Sequence, residues 1–258
     1  MKNGLVSIVF PCYNCEDFIC ESINSVLAQT YTNWELIISD DCSTDNTKQK
    51  IEPFLADPRI RYFCMEKNGG PAHARNLGLS NVNGDYVAFL DSDDIWTADK
   101  LEKQIAFMNE NGIKFCCSGY EKISENGKSL GIKLLPHKAT GYWKTFFLGN
   151  PIGNSTVVYD RRHFGDVRVP DIRKRNDFAL WLLMLRNGDK CWGQDDVFVK
   201  YRVRKGSVSS NRMKLAKYHW QLYHKIEKKN VFLSALGICS WVFVKGTGIG
   251  LRIKKFDV

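Results

Sequence analysis

The chain has 258 residues and a mass of 29.6 kDa, a length that fits one large domain or one domain with an appendage. Hydrophobic residues make up 44% of the chain and aromatic residues 12%, so a sizeable core can form and a disordered chain is excluded. The sequence has no internal repeat at the period of a solenoid or a propeller, which excludes those architectures.

The formal net charge of +9 is concentrated near the carboxyl terminus. Residues 200–258 contain fourteen Lys or Arg and two acidic residues, a net charge of +12, whereas residues 1–199 carry −3. An acidic body with a basic tail is typical of a protein that approaches an anionic partner, so membrane headgroups and nucleic acid are both candidates.

The cysteines and the amino terminus indicate the compartment. Nine cysteines, an odd number without the spacing of a disulfide framework, indicate free thiols in a reducing environment. The first ten residues lack the long apolar stretch and cleavage site of a signal peptide. We therefore expect a cytoplasmic protein.

Apolar runs alternate with segments of helical periodicity over residues 1–118. The runs predict strands at 5–10, 34–39, 60–65 and 85–90, and the intervening segments predict helices near 16–29, 44–55, 71–81 and 98–111. Strands that are almost continuously apolar predict a parallel sheet with both faces covered. The first half of the chain is therefore predicted to be a Rossmann-like α/β layer.

The pattern changes after a predicted strand at 113–120. Asn126 and Gly127 suit a hairpin turn, and a mixed region follows. Its predicted elements are a short helix near 141–149, a strand near 154–160, a helix near 176–187 and a strand near 196–203. Residues 211–258 are predicted to form a separate basic and apolar helical segment.

Charged clusters follow the predicted strands, at the sheet edge where ligands bind in parallel sheets. Asp91 and Asp93 are two residues apart after the fourth strand, so in extended chain their side chains point the same way. This arrangement suits Mg²⁺ or Mn²⁺, with water and phosphate oxygens completing the coordination. The alternative is a solvated acidic loop, or a helix cap begun by Asp94.

Neither a G-x-G-x-x-G motif nor a Walker A motif is present, so a dinucleotide cofactor and a P-loop nucleotide are not supported. Residues 68–78 contain a different candidate phosphate-binding element, a Gly-Gly turn before a helix that carries Arg75 in its first turns. Arg75 could contact a diphosphate or the acidic cluster. The alternative is an ordinary cation on a helix surface.

Several stretches in this order resemble the family 2 glycosyltransferases, which have the GT-A fold. They are VSIVFPCYN, WELIISDDCSTDNT, GGPAHARNLGL, GDYVAFLDSDDIW and RNDFALWLLMLRNG. The resemblance covers about residues 5–210 and is strongest toward bacterial enzymes of teichuronic acid, O-antigen and capsule assembly. It implies an α/β GT-A domain over 1–210 with a mostly parallel central sheet, divided into a nucleotide-sugar-binding half (1–118) and an acceptor-binding half (119–210).

The resemblance also implies roles for single residues in the first half. Pro11, Tyr13 and Asp41 would line the nucleoside pocket, with Asp41 accepting the uracil N–H and Asp40 supporting the loop. Arg75 would lie near the nucleotide. Asp91-Ser92-Asp93 matches the D-x-D motif of the family, with Asp93 as the expected direct ligand of the metal that bridges the donor diphosphate.

The catalytic base is expected in the second half. Asp177 matches the second position of the family's Glu-Asp motif, whose first position is Asn176 in this chain. By resemblance, Asp177 would be the base of an inverting transfer, and Asp171 is the next carboxylate to consider. Trp181, one helical turn later, would shape the acceptor site or, as the alternative, fill the core.

The tail admits two interpretations. Residues 231–244 are uncharged but number fourteen, fewer than the roughly 20 that span a bilayer. The preceding segment mixes lysines with Tyr and Trp, a composition that favours a helix lying on an anionic membrane surface. The alternative is a helical hairpin packed on the body. A nucleic acid partner is not expected, because no recognition motif accompanies the charge.

These inferences predict an inverting, metal-dependent glycosyltransferase. It would move a sugar from a UDP-sugar to a glycan on a polyprenyl-diphosphate carrier in bacterial surface polysaccharide synthesis, at the inner face of the cytoplasmic membrane. Two alternatives are a nucleotidyltransferase on a similar sheet and a catalytically silent binding subunit, which the Asn176 departure favours.

Overall fold

The computed structural model describes residues 4–204 and 212–256, with the side chains of 212–214 left undescribed. The first half forms four parallel strands, each followed by a helix. The strands are β1 (Val6–Cys12), β2 (Trp34–Asp40), β3 (Ile60–Cys64) and β4 (Tyr86–Phe89), and the helices are α1 (Ile19–Leu27), α2 (Thr47–Ile51), α3 (Pro71–Leu79) and α4 (Lys100–Asn111). These elements confirm the predicted α/β layer. The predicted helix at 44–55 is divided, because Pro53 ends the α-helical hydrogen bonding and a 3-10 turn follows α2.

After β4, the described residues before the tail add six strands and, beyond α4, three α-helices. In chain order these are β5 (Ile95–Trp96), β6 (Phe115–Ile123), β7 (Ser129–Leu135), β8 (Ala139–Thr140), α5 (Tyr142–Leu148), β9 (Val157–Asp160), α6 (Arg161–Phe164), α7 (Asn176–Leu185) and β10 (Cys191–Arg202). The predicted hairpin between β6 and β7 is present, and Gly127 has a φ of +76° in its turn.

The central sheet is mixed. Its first half is parallel in the order β4-β1-β2-β3, as predicted, but β9 runs antiparallel to both β4 and β6. The β6–β7 hairpin is antiparallel as well. The expectation of a mostly parallel sheet therefore holds for the nucleotide half, whereas the rest of the sheet is mixed, because β10 runs parallel to β6 and antiparallel to β5 and β8.

The tail is not purely helical, which corrects one expectation. It contains α8 (Arg212–Trp220), a π-helical extension to Ile226, α9 (Val231–Thr247) and a strand, β11 (Arg252–Lys255). β11 pairs antiparallel with β7 at the edge of the sheet. Three of its four residues are cations, which is typical of an edge strand and hides the strand pattern. The predicted domain boundary at residue 210 lies outside the described residues.

Hydrophobic residues of β1 point alternately into two cores, because helices cover both faces of the sheet. Phe10 belongs to the core under α1 and α4, and Val9 to the core under α3 and α7. Trp181 is 0% exposed in the second core, with its ring centroid 5.7 Å from that of Phe89. A contact between Trp181 and an acceptor is therefore not supported, and the core alternative explains this residue.

A third core joins the tail to the body. Phe146 of α5 and Phe178 of α7 pack with Leu222 and Tyr223 of the π-helical extension, and Gly237 of α9 fits closely against Phe146 and Tyr223. The packed-hairpin alternative is therefore correct for one side of the tail. Within residues 4–204 and 212–256, no helix is long and apolar enough to span a bilayer.

Candidate active site

The candidate site is a cavity of about 500 Å³ at the carboxyl end of β4. Asp91, from the loop after β4, and Asp177, from the first turn of α7, both line it. The two carboxylates come from different halves of the chain, and the fold brings them to one cavity. This is the sheet edge at which a parallel α/β layer binds its ligands.

Arg75 connects these two parts of the site. Its Nη2 donates to Asp91 Oδ1 at 2.6 Å, and its Nη1 donates to Asn176 Oδ1 at 2.6 Å. Gly70, with a φ of +90°, and Pro71 start the helix that places it. Arg75 is only 8% exposed, so the alternative of a surface cation is wrong. Asn176 supplies a neutral oxygen to this arginine where the family motif has a carboxylate.

The acidic loop, residues 91–94 after β4, holds its Asp93 carboxylate beside an arginine. Asp93 Oδ2 lies 2.8 Å from Arg204 Nε. Burial raises the pKa of Asp93 above its usual range, the charge of Asp91 adds to the rise, and Arg204 opposes it. Ser92 holds the loop against α1, because its carbonyl accepts a hydrogen bond from Ser22 Oγ at 3.0 Å.

Asp94 anchors the loop to the rest of the fold. It is 1% exposed, and it accepts hydrogen bonds from Ser155 Oγ at 2.6 Å and from the Arg202 backbone N–H at 3.1 Å. Burial and the charges of Asp93 and Asp91 raise its pKa well above the usual range. Its hydrogen bonds tie the loop to β10 and to the segment before β9.

The acidic loop fits a divalent ion that arrives with a diphosphate. Among the described residues, no group of three or more His, Cys, Asp or Glu is placed to hold a metal alone. Mg²⁺ and Mn²⁺ at phosphate sites need only one or two carboxylates, with phosphate and water oxygens supplying the rest. The charge of Asp91 disfavours ionisation of Asp93, and a bound cation would remove this repulsion.

The residues expected at the nucleoside lie at the ends of β1 and β2. Pro11 is buried in β1, and the Tyr13 side chain that follows is 47% exposed. Asp41 accepts the backbone N–H groups of Gly69 and Gly70 at 2.7 and 2.8 Å. Asp41 thus joins the loop after β2 to the Gly-Gly turn before α3, and its contact with uracil stays a prediction.

Asp40 is bonded within the same region. Its Oδ1 accepts hydrogen bonds from the Ser43 backbone N–H and hydroxyl at 2.9 and 2.6 Å. Its Oδ2 accepts one from the Tyr62 hydroxyl at 2.8 Å, and burial of Tyr62, followed by this contact, raises the pKa of Tyr62. Both carboxylate oxygens of Asp40 are therefore used to shape the loop.

Asp177 is held by an asparagine that sequence reasoning missed. Asn150, in the loop after α5, donates from Nδ2 to Asp177 Oδ2 at 2.8 Å. Asn154, from the same loop, donates from Nδ2 to Asp91 Oδ1 at 2.9 Å. The Oδ1 atoms of both asparagines are buried and have no partner among the described residues. Two asparagines in a loop rich in Gly and Pro were the only sequence signal.

Asp171, the second candidate for the base, lies elsewhere. Its side chain is 81% exposed and pairs with His73 at 3.3 Å. It does not line the cavity. Geometry therefore favours Asp177 over Asp171 as the group that faces an acceptor.

Comparison with known proteins assigns the family. Residues 7–166 match the model described as glycosyl transferase family 2. The chain belongs to this family and is a glycosyltransferase. The family assignment removes support from the nucleotidyltransferase alternative.

Two curated relatives are similar over nearly their whole length. The putative teichuronic acid biosynthesis glycosyltransferase TuaG of Bacillus subtilis (strain 168) is 40% identical over 242 residues, covering 93% of this chain and 94% of TuaG. The Escherichia coli UDP-Glc:alpha-D-GlcNAc-diphosphoundecaprenol beta-1,3-glucosyltransferase WfgD is 42% identical over 223 residues, covering 86% of each chain.

Solved structures confirm the α/β fold of the GT-A type. S. aureus TarS in complex with UDP aligns with a TM-score of 0.68 at 20% identity, over 93% of this chain and 71% of the other. The mannosyltransferase PcManGT from Pyrobaculum calidifontis, in complex with GDP-Man and Mn²⁺, aligns with a TM-score of 0.66 at 15% identity, over 95% of this chain and 76% of the other.

Proposed function

We propose that this glycosyltransferase moves a sugar from a UDP-sugar to a glycan carried on a polyprenyl diphosphate, during assembly of a bacterial surface polysaccharide. The observation that carries the proposal is that Asp91 and Asp177 line the same cavity. Arg75 connects the two parts of this site, because it donates hydrogen bonds to Asp91 and to Asn176. The names of the relatives support the substrate classes, because WfgD is named for UDP-Glc and for a diphosphoundecaprenol-linked acceptor.

The donor diphosphate would lie beside the acidic loop. Asp93 and Asp91 would hold Mn²⁺ or Mg²⁺ together with the diphosphate oxygens. When bound, this ion would neutralise the charge that grows on the departing nucleoside diphosphate. Tyr13, Pro11 and Asp41 would line the nucleoside end, at the edge formed by β1 and β2.

Asp177 would act as the general base. Its carboxylate would take the proton from an acceptor hydroxyl as that oxygen attacks the anomeric carbon from the face away from the leaving group. A single displacement inverts the anomeric configuration, so an α-linked donor gives a β-linked product. Asn150 would keep the Asp177 carboxylate oriented, because it donates to one of its two oxygens.

The acceptor class fits a protein that lies on a membrane. One face of α9 is packed on the body, while the other is apolar and exposed. Phe232, Leu236 and Phe243 are 76%, 45% and 55% exposed, and their spacing of four and seven residues places them on one helical stripe. Exposed Trp143 lies under the Lys229 ammonium, 5.3 Å from the ring centroid. Apolar side chains bordered by cations and interfacial Trp suit an anionic bilayer surface.

Replacing Phe232 and Phe243 together by Ser tests this membrane surface. Each Phe contributes about 1.5–3 kcal/mol when it leaves water, so we expect binding to anionic vesicles to fall at least tenfold. Sedimentation with vesicles measures the loss, and binding of the intact chain should weaken as salt rises.

The matched control is Leu55→Ser, which removes a 39% exposed apolar side chain from the 3-10 turn after α2. It should leave vesicle binding and UDP binding unchanged. Full vesicle binding by the double Phe variant would place the membrane contact elsewhere. Deleting the tail is a poor substitute, because β11 and the third core would be lost with it.

The proposed reaction is tested by UDP release. A panel of UDP-sugars is incubated with the chain, Mn²⁺ and a lipid-linked glycan, and UDP is measured with and without the acceptor. We expect release that depends on both the acceptor and the metal. A silent binding subunit would bind UDP without releasing it from any donor.

A further inference from the structure

One wall of the candidate active-site cavity carries cations that do not belong to the acidic loop. We define it as Arg175, the residue before α7, with Trp241 and Lys245 of α9, all of which line the cavity. The acidic residues Asp91 and Asp177 line the same cavity. A cavity that combines the acidic loop, the proposed metal site, with a set of cations is suited to more than one anionic group.

Arg175 is held in a costly conformation at this wall. Its φ of +66° lies in the left-handed region, which is strained for a non-glycine residue and recurs at functional sites. Its Nε is buried and has no hydrogen-bond partner among the described residues. The guanidinium carbon lies 5.8 Å from the Trp241 ring centroid. A buried donor without an acceptor is expensive unless a ligand supplies one.

Trp241 is held in place by its packing against His219 and Gly149. Its ring stacks on His219, with 4.2 Å between centroids and 27° between planes. Gly149 accommodates it, because any side chain at that position would collide with the indole. The Trp241 Nε1 is buried and also lacks a partner among the described residues. The wall therefore presents a second unused donor.

The two cations of the wall both act on the neighbouring His219. Burial, and then the charges of Arg175 and Lys245, lower the pKa of the neighbouring His219 to about 3. His219 therefore stays neutral at physiological pH and packs as an aromatic ring. An anion bound at the wall would meet both cations.

We propose that Arg175, Trp241 and Lys245 form the subsite for the diphosphate of the lipid-linked acceptor. This inference rests on the proposed function, and it adds where the acceptor is held. Arg175 is two residues before Asp177, and both line the cavity. A diphosphate on the first carbon of the acceptor sugar that binds at Arg175 would therefore leave another hydroxyl of that sugar near the Asp177 base. The lipid would then run along α9. The face of α9 that points away from the wall carries the exposed stripe of Phe232, Leu236 and Phe243.

The subsite is tested with Arg175→Asn, because Asn tolerates the left-handed region and removes the charge. Two acceptors with the same sugar are compared, one on a short polyprenyl diphosphate and one on an uncharged alkyl chain. A charged hydrogen bond contributes about 1.5–3 kcal/mol, so kcat/KM for the diphosphate acceptor should fall about 10- to 150-fold. The alkyl glycoside should change less than twofold, and UDP affinity should be unchanged.

Arg173→Asn is the matched control. Arg173 is exposed in the same loop and does not line the cavity, so both acceptors should be used normally. Equal losses on both acceptors in Arg175→Asn would make Arg175 a residue that positions Asp177. Weakened UDP binding would assign the wall to the donor diphosphate. Either result, or no loss at all, overturns the subsite.

A binding measurement separates the subsite from the proposed reaction. Calorimetry with farnesyl diphosphate, in the presence of saturating UDP and Mn²⁺, should show binding to the wild-type chain and at least tenfold weaker binding to Arg175→Asn. Transfer to no acceptor at all would defeat the proposed function, whereas this titration would still detect the subsite. Equal farnesyl diphosphate binding by both proteins would defeat the subsite alone.

Discussion

Replacing Asp177 by Asn is expected to lower kcat by about 10²- to 10⁴-fold, the usual contribution of a general base. Donor binding should change little, because the base acts mainly in the transition state. Asn keeps the shape of the side chain, so Asn150 and the first turn of α7 stay in place. Initial rates with saturating donor, together with a UDP titration, measure the two effects separately.

The matched control for this variant is Asp171→Asn. Asp171 is exposed and paired with His73 outside the cavity, so its loss should leave the rate within about twofold, as for most surface ion pairs. Near-normal kcat in Asp177→Asn, with a large loss in Asp171→Asn, would reverse the assignment of the base.

The second large effect is expected for Asp93→Asn. Without this carboxylate the metal is held more weakly, and the charge on the leaving diphosphate is less well neutralised. Because a metal ion supplies several kcal/mol to such a transition state, we expect a loss of about 10³-fold or more in kcat/KM. UDP affinity should also lose most of its dependence on Mn²⁺ or Mg²⁺, which calorimetry with and without the metal measures.

Asp99→Asn is the control for the acidic loop. Asp99 lies a few residues later and pairs with Lys103 at 2.7 Å on the surface. Its replacement should change neither the rate nor the response to metal. Full activity of the wild-type chain after treatment with a chelator would show that the metal role assigned to Asp93 is wrong.

The layers of the fold could be predicted because their patterns are local. β1, β2 and β4 are short apolar runs buried on both faces, and such runs read clearly as strands of a covered sheet. β11 could not be predicted, because a strand made of Arg, Ile and two Lys has the composition of a solvated helix end. It becomes a strand through pairing with β7, which is about 120 residues away in the chain.

The candidate site was predictable where a motif carries it. Asp91, Asp93 and Asp177 follow from the resemblance, and the structure brings Asp91 and Asp177 to one cavity. Asn150 and Asn154 escaped prediction, because their partners are 27 and 63 residues away and only the fold brings them together. Long-range pairs of this kind leave no periodic pattern in a sequence.

The helices show a different difficulty. α7 is buried on nearly all sides, so periodicity could not separate the face toward the cavity from the face toward the core, and Trp181 belongs to the core. The same composition in α9 hides two faces, one that packs on α5 and one that is exposed. The composition of the tail therefore could not decide between a helix on a membrane surface and a hairpin packed on the body.

The central proposal is tested most directly by NMR of the product formed from an α-linked UDP-sugar and a polyprenyl-diphosphate-linked glycan in the presence of Mn²⁺. We predict one new glycosidic bond with the β configuration, formed in amounts equal to the UDP released. Retention of the α configuration would contradict a single displacement with Asp177 as base. Free sugar in place of a glycoside would contradict transfer to the lipid-linked acceptor.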